Sequence, residues 1–224
     1  MAKPKITLYV DTVSPFAYEA YYILRHDPIF STCDITYIPV FLGGIMKSAG
    51  NTPPIDIKNK DTWIAAERTR WATRFNIPII ATTPADFPPL TLPVMRSLCA
   101  LMLVFPGRAQ EMLVRGLDAF FKAYWVDGRN TIDPVVLGEV LREVVEGDEA
   151  MLARVRECAA AEGKQVLLEN TALAFKEGAF GLPWFVCENA KGEKEGLWGV
   201  DHLGCVVDFL GLEKPRAGGW KSVL

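Results

Sequence analysis

Residues 11–18 read DTVSPFAY and follow the apolar run ITLYV at 6–10, a succession that predicts a buried strand leading into a helix. Ser14 then lies on the first turn of that helix, where its side-chain oxygen can accept hydrogen bonds from main-chain N–H groups that lack a partner in the helix. Pro15 suits the first helical position because the N–H that proline lacks is not needed there. The simplest interpretation of Ser14 is therefore a helix cap.

The same turn also has a chemical interpretation. Thioredoxin-like proteins carry Cys-x-x-Cys at a strand-to-helix turn of this pattern, and the helix dipole activates the first cysteine. Here Ser14 and Ala17 occupy both cysteine positions, so thiol–disulfide exchange at this turn is excluded. A hydroxyl at the positive end of a helix can instead hold the thiolate of a bound molecule. Both interpretations of Ser14 remain open.

A second turn lies near the other end of the chain, where GLP at 181–183 precedes the apolar run WFVC. In thioredoxin-like folds the proline at this place is cis and faces the start of the active-site helix, whereas the simpler interpretation of Pro183 is a residue that begins a strand. A hairpin-like polar turn is predicted at 192–195, and a further strand ends near Gly199. Asp201 is predicted to open a last amphipathic helix that runs through Leu210, either as a plain cap or as a binding residue.

Four motifs in register make the chain resemble the class kappa glutathione transferases and their relatives, the bacterial 2-hydroxychromene-2-carboxylate isomerases. They are DTVSP at 11–15, GGIMKSAGNTPP at 43–54, GLP at 181–183 and GVD at 199–201. The resemblance covers nearly the whole chain, and the second motif is the most specific of the four. It implies a DsbA-like architecture and glutathione as co-substrate.

The resemblance also implies roles for individual residues. Ser14 is similar to the catalytic serine that faces the glutathione sulfur, with Pro15 and Phe16 beside it. The backbone of Leu182 is expected to pair with the cysteine of the tripeptide, and Asn51 to hold the glycine end, where Lys60 is a further candidate for the carboxylate. An exposed lysine is the simpler interpretation of Lys60. Val200 and Asp201 align with the pair of family residues that receives the γ-glutamyl end of glutathione.

Two positions depart from the family pattern. Kappa enzymes usually carry serine before the aspartate, whereas this chain has Val200, so only its backbone N–H remains for a ligand. Trp184 stands after the proline, where smaller residues are usual. An indole beside the thiol would narrow the pocket for the second substrate. The rings of Phe16, Trp184 and Phe185 are the candidates for flanking the thiol and favouring flat, apolar electrophiles.

Composition limits the function classes. The 224 residues are 50% hydrophobic, enough for a sizeable core, and 24 basic against 27 acidic side chains give a net charge of −3 with no basic cluster. Nucleic acid is therefore not expected as a partner. Five scattered cysteines indicate reduced, buried thiols, and two histidines leave few candidates for a metal site, so no metal is expected.

The location of the protein is predicted from its ends and its apolar runs. A strand that starts by Ile6 leaves no room for a targeting peptide, and the apolar run 97–105 is too short to span a bilayer. We expect a cytoplasmic protein without a membrane partner. A mitochondrial or peroxisomal location stays open, because the final Ser222-Val223-Leu224 loosely resembles the peroxisomal Ser-Lys-Leu signal.

The predicted architecture is α/β, a thioredoxin-like domain interrupted by an all-helical insertion. Residues 1–55 and 177–217 are assigned to the thioredoxin-like domain, 56–176 to the insertion and 218–224 to a C-terminal tail. The first half contains strands at 5–10 and 34–41 and a helix at 15–24. Apolar residues three and four apart predict six helices in the insertion, at 60–75, 93–105, 110–125, 134–145, 148–161 and 165–176.

Aromatic residues in the insertion have two interpretations. Phe120, Phe121, Tyr124 and Trp125 fall on consecutive helical faces and are predicted to pack in the core or between domains, with pocket lining as the alternative. Trp63 and Trp71 allow the same two interpretations.

The predicted function is a kappa-type glutathione transferase that activates the glutathione thiolate at Ser14 for attack on a small apolar electrophile. A homodimer is expected from the resemblance. Two alternatives stay open: a glutathione-dependent isomerase of the 2-hydroxychromene-2-carboxylate type, and a non-catalytic glutathione-binding protein. The transferase ranks first because no arginine lies beside the motifs to hold a substrate carboxylate, although distant ones could supply it: Arg68, Arg70 and Arg74.

Overall fold

A four-stranded sheet of mixed direction carries the candidate site. The computed structural model describes residues 2–215 and 218–222. The strands are β1 (Lys5–Val10), β2 (Asp34–Pro39), β3 (Trp184–Glu188) and β4 (Lys194–Trp198), in the order β2-β1-β3-β4. β1 and β2 are parallel, and β1–β3 and β3–β4 are antiparallel. This β-α-β and β-β-α arrangement is the predicted thioredoxin-like fold.

Two helices and the C-terminal segment accompany the sheet. α1 (Pro15–His26) connects β1 to β2, and α2 (Leu42–Ala49) follows β2. After β4 come a 3₁₀ turn, Val200–His202, and α9 (Leu203–Leu210). A further 3₁₀ turn covers Gly218–Ser222.

Six further α-helices follow α2 before β3. They are α3 (Lys60–Phe75), α4 (Leu92–Val104), α5 (Ala109–Phe121), α6 (Pro134–Val144), α7 (Glu149–Ala160) and α8 (Glu162–Lys176). α5 continues into a π-helical turn, Lys122–Val126. The six helices were predicted from apolar periodicity, and α3 has the predicted bounds. The division into domains at 55/56 and 176/177 stays a prediction, and Val223 and Leu224 lie outside the described residues.

The sequence analysis missed one helix and misplaced two element ends. α2 contains Gly43 and Gly44, which lower helix propensity, but a Cβ at Gly43 would lie 2.8 Å from the Phe41 ring, so close packing requires glycine there. β4 starts at Lys194, where a polar turn was predicted. The last α-helix starts at Leu203, because Asp201 lies inside the preceding 3₁₀ turn.

One large apolar core spans the sheet and the helices between β2 and β3. Ile6, Leu8 and Val10 of β1 point into it, together with buried residues of α4, α5 and α9. Tyr9 points to the other face, where a smaller cluster includes Ala17, Ile45 and Leu182. Within the described residues, no single helix is long and apolar enough to cross a membrane, although α4 and 106–126 form one bent pair that is.

Candidate glutathione site

Ser14 caps α1 and still has a free donor. Its Oγ accepts a hydrogen bond from the N–H of Ala17 at 3.1 Å, and the residue is 6% exposed. The Ser14 hydroxyl proton has no acceptor among the residues that the structure describes. Because a hydroxyl both accepts and donates, the cap uses one lone pair and leaves the O–H to point at a ligand. The two interpretations of Ser14 are therefore compatible.

The turn before Ser14 is held by a buried carboxylate. Asp11 is completely buried and accepts hydrogen bonds from the N–H of Leu42 at 2.8 Å and the hydroxyl of Thr91 at 2.7 Å. It also accepts one from the N–H of Val13 at 3.2 Å. Burial raises the pKa of Asp11 to about 6, and these hydrogen bonds partly oppose the rise. Asp11 thus joins the end of β1 to α2 and α4.

The cis-proline loop lies beside α1. The Leu182–Pro183 peptide bond is cis, and Leu182 belongs to the same small apolar cluster as Ala17 of α1. The Pro183 carbonyl accepts a hydrogen bond from the N–H of Gly199 at 3.0 Å. In contrast, neither the N–H nor the carbonyl of Leu182 has a partner within 2–215 and 218–222. This backbone is free to pair with an extended peptide.

Asn51 approaches the same loop from the end of α2. Its side-chain amide donates to the Phe180 carbonyl at 2.9 Å, and its own N–H closes the α2 terminus on the Met46 carbonyl at 2.9 Å. The side chain is exposed, and its oxygen remains available. Asn51 is therefore brought close to Leu182, as its predicted role requires.

Val200 and Asp201 follow Gly199, whose φ of 91° favours glycine. Val200 is buried with its side chain in the main core, which leaves only its backbone for a ligand. The N–H groups of Val200 and Asp201 have no partner among the described residues, and the Asp201 carboxylate is exposed, 3.4 Å from His202 Nδ1. A free acid and two free N–H groups suit an amino-acid end that carries both charges.

Comparisons with known proteins agree with this geometry. The profile of the DSBA-like thioredoxin domain matches residues 5–211. The chain belongs to the DsbA-like thioredoxin family. It is similar to glutathione S-transferase kappa 1 of Caenorhabditis elegans, 26% identical over 99% of this chain and 98% of that relative. It is also 25% identical to a 2-hydroxychromene-2-carboxylate isomerase of Sphingobium xenophagum, over 92% of this chain and 97% of the relative. The predicted resemblance is confirmed.

A solved structure of 2-hydroxychromene-2-carboxylate isomerase has the same fold. It superposes with a TM-score of 0.74 at 21% identity, covering 92% of this chain and 94% of that structure. The DsbA-like fold predicted from the sequence is thereby confirmed.

Within this DsbA-like chain, the other predicted ligand residues differ in how close they come to Ser14. Pro15 is buried at the first position of α1, and Phe16 is half-buried against the main core. Lys60 is exposed at the start of α3, and its amine forms no ion pair within the described ranges. No hydrogen bond or ion pair between described residues joins Lys60 to the Ser14 turn or to Leu182, so its role stays a prediction.

Among the rings predicted to flank the thiol, the expectation for Phe185 needs correction. Phe185 is completely buried in the main core and does not line a pocket. Trp184 is 7% exposed and packs where Gly178 and Gly196 leave room, because a Cβ at Gly196 would lie 2.6 Å from its ring. The indole belongs to the small apolar cluster that also holds Ala17 and Leu182. Of the three candidate rings, Phe16 is the most exposed.

An arginine lies nearer the Ser14 turn than the sequence indicated. The Arg68 guanidinium sits 5.5 Å from the centre of the Trp125 ring, and Trp125 Nε1 donates to the Thr12 carbonyl at 2.9 Å. Arg68 also donates to the Ala81 carbonyl at 2.9 Å. Opposite it on α1, Glu19 is buried with no hydrogen bond, and burial raises its pKa well above the ordinary value.

Sequence analysis therefore missed part of the site. Thr91 and Trp125 contact the Ser14 turn from 80 and 113 residues away along the chain. The one available signal was the run of aromatic residues at 120–125, which was predicted to pack in the core or between domains. All four of its rings are buried, and Trp125 in addition donates to the Thr12 carbonyl.

Proposed function

We propose that this protein is a glutathione transferase of the kappa type. The carrying observation is the free Ser14 hydroxyl at the start of α1, near a Leu182 backbone that has no partner among the described residues. Full-length similarity to curated kappa transferases supports the same assignment. Glutathione then lies along the cis-proline loop, with its sulfur at Ser14 and its cysteinyl backbone on Leu182.

The chemistry follows from the position of Ser14. A free thiol has a pKa near ~8.5, and a helix N-terminus with a hydroxyl donor brings such a group down to roughly 6 to 7. The thiol proton leaves to solvent, and the Ser14 O–H and the helix dipole stabilise the thiolate that remains. The sulfur then attacks an electrophilic carbon, the C–S bond forms, and the leaving group departs with its electron pair. Ser14 donates a hydrogen bond throughout and is not a nucleophile.

The two ends of the tripeptide are assigned to the exposed residues. We propose that Asp201 receives the γ-glutamyl ammonium and that the free N–H groups of Val200 and Asp201 receive its carboxylate. Asn51, with Lys60 as a further candidate, receives the glycine carboxylate. Phe16 is proposed to flank the thiol and to favour flat, apolar electrophiles.

Turnover tests this proposal directly. The purified protein is expected to conjugate glutathione to an activated aryl halide measurably above the uncatalysed rate and to leave 2-hydroxychromene-2-carboxylate unchanged. Ser14→Ala is the matched variant and should lose most of the conjugation. Tight glutathione binding with turnover of neither compound would contradict catalysis and favour a binding protein.

A glutathione-dependent isomerase is the second candidate. Similarity to a 2-hydroxychromene-2-carboxylate isomerase over 92% of this chain favours it. Arg68 does not add support, because it is 3% exposed and donates to the Ala81 carbonyl. Isomerisation of 2-hydroxychromene-2-carboxylate without conjugation would make this assignment correct.

We also propose a homodimer for this protein. Light scattering at micromolar concentration should report about twice the chain mass of 24.8 kDa. A mass near that of one chain would contradict the dimer.

A further inference from the structure

The three residues before Ser14 are held largely by the helices between β2 and β3. Thr91 donates to the Asp11 carboxylate at 2.7 Å, and the Thr12 hydroxyl donates to Met95 Sδ at 3.7 Å. Trp125 Nε1 donates to the Thr12 carbonyl at 2.9 Å, in a buried environment. Among the described residues, Trp125 is the one whose side chain bonds the main chain of 11–13 from these helices. It therefore acts on the Thr12–Val13 peptide plane, one peptide before the plane that leads into Ser14.

A π-helical turn, Lys122–Val126, carries Trp125. Tyr124 and Trp125 both point inward from this turn and are 1% exposed. The neighbouring main chain is fixed as well, because the N–H of Ile80 donates to the Trp125 carbonyl at 2.8 Å.

The indole is held in one orientation by its neighbours. The Arg68 guanidinium lies 5.5 Å from its ring centre, and the rings of Tyr124 and Phe87 lie 5.0 and 5.8 Å away. A tryptophan has few rotatable bonds, so such packing fixes the direction of its N–H. The donor thus meets the Thr12 carbonyl at a set position.

We propose that Trp125 is a positioning residue for Ser14. This inference rests on the proposed function, since it concerns how well the Ser14 hydroxyl meets the glutathione thiolate. A charge-assisted hydrogen bond weakens steeply when its donor is displaced or tilted. Ser14 is also joined to the turn by a 3.2 Å bond from its N–H to the Asp11 carbonyl, so movement at Thr12 is passed to Ser14.

The test compares two buried tryptophans. Trp125→Phe removes the donor to Thr12, whereas Trp220→Phe removes a donor of the same kind to Asp27, where Nε1 lies 2.7 Å from Oδ2. Trp220 is 2% exposed and packs on Phe30 and Phe75, so both variants lose part of a buried indole. The readouts are the melting temperature and the pKa of bound glutathione, followed by ultraviolet thiolate absorbance.

Both variants are expected to melt earlier. Trp125→Phe alone should also raise the pKa of the bound thiol by about half a unit to one unit and lower kcat, with KM for glutathione within about twofold. If Trp125→Phe does not fold, benzothienylalanine at position 125 keeps the size of the indole and lacks the N–H.

Two results separate the two proposals. The role of Trp125 is overturned if the wild type lowers the thiol pKa but Trp125→Phe has the same thiol pKa as the wild type, or if Trp220→Phe raises it as much as Trp125→Phe does. Either result leaves the proposed function standing. A thiol pKa that the wild type does not lower overturns the proposed function, and the positioning role with it.

Discussion

The two ends of the candidate glutathione site are built differently. At the sulfur end, Ser14 is 6% exposed, and the turn before it is bonded to α2, α4 and the π-helical turn. At the γ-glutamyl end, the Asp201 side chain is 61% exposed and has His202 as its neighbour. The chemistry thus depends on a buried, fixed donor, whereas recognition of the substrate depends on groups that remain in water.

The difference in burial affects how strongly each end can interact with glutathione. A hydrogen bond to an anion is stronger in a buried site, where it does not compete with water, and a fixed donor needs no rearrangement when charge develops. An exposed carboxylate is screened by solvent and salt, so each contact there contributes less. We therefore expect changes at the buried end to alter stability and the thiol pKa, and changes at the exposed end to alter affinity.

The largest expected effect is a pH dependence of stability at the buried end. The pKa of Asp11 is raised to about 6, so the unfolded chain loses this proton first as the pH rises through its ordinary value of 3.8. The contribution of Asp11 to the free energy of unfolding is therefore fully present below pH 3.8. It falls by about 3 kcal/mol by pH 7. Asp11→Asn should remove this fall.

Denaturant unfolding at pH 4 and pH 7 measures the effect. The measured quantity is the free energy of unfolding of the wild type minus that of Asp11→Asn. This difference should be smaller at pH 7 than at pH 4. The same difference at both pH values would contradict this prediction, because it would show that ionising the buried Asp11 carboxyl does not destabilise the fold.

The next effect separates two neighbours at the γ-glutamyl end, where Val200 is buried and Asp201 is exposed. Val200→Ala removes buried methyl groups from the core and should lower the free energy of unfolding by about 1–3 kcal/mol. Glutathione affinity should stay within about twofold, because the backbone N–H of the residue is kept. Chemical denaturation and calorimetry with glutathione measure the two quantities. A large loss of affinity in a stable Val200→Ala protein would mean that the valine side chain meets the ligand.

Asp201→Ala should show the opposite pattern, at a smaller energy. Its carboxylate is exposed, so stability should change little, whereas glutathione affinity should fall about tenfold or more, about 1.4 kcal/mol, because the ammonium loses its partner. Calorimetry on a variant with unaltered circular dichroism checks this. Equal affinity would remove Asp201 from the site.

The parts of the molecule that sequence predicted are those set by local pattern. β1 and α3 have their predicted bounds because alternation and helical periodicity are local properties. Sequence analysis missed α2 because its two glycines lower helix propensity. Their reason is a tertiary effect, since a Cβ at either position would crowd Phe41 or Thr171. Likewise the turn DTVSP pointed to Ser14, but nothing near it indicated that Thr91 and Trp125 would hold it. Long-range hydrogen bonds leave no local trace in a single sequence.

The most direct test of the account is the pKa of glutathione bound to the wild type and to Ser14→Ala, measured by ultraviolet thiolate absorbance. Ser97→Ala, at a buried serine that bonds the Pro93 carbonyl, is the control. We expect a thiol pKa of roughly 6 to 7 in the wild type and in Ser97→Ala. In Ser14→Ala it should be higher by about one unit or more, with glutathione affinity changed by only a few fold. A Ser14→Ala protein that loses stability but titrates like the wild type would contradict the account and leave Ser14 as a helix cap.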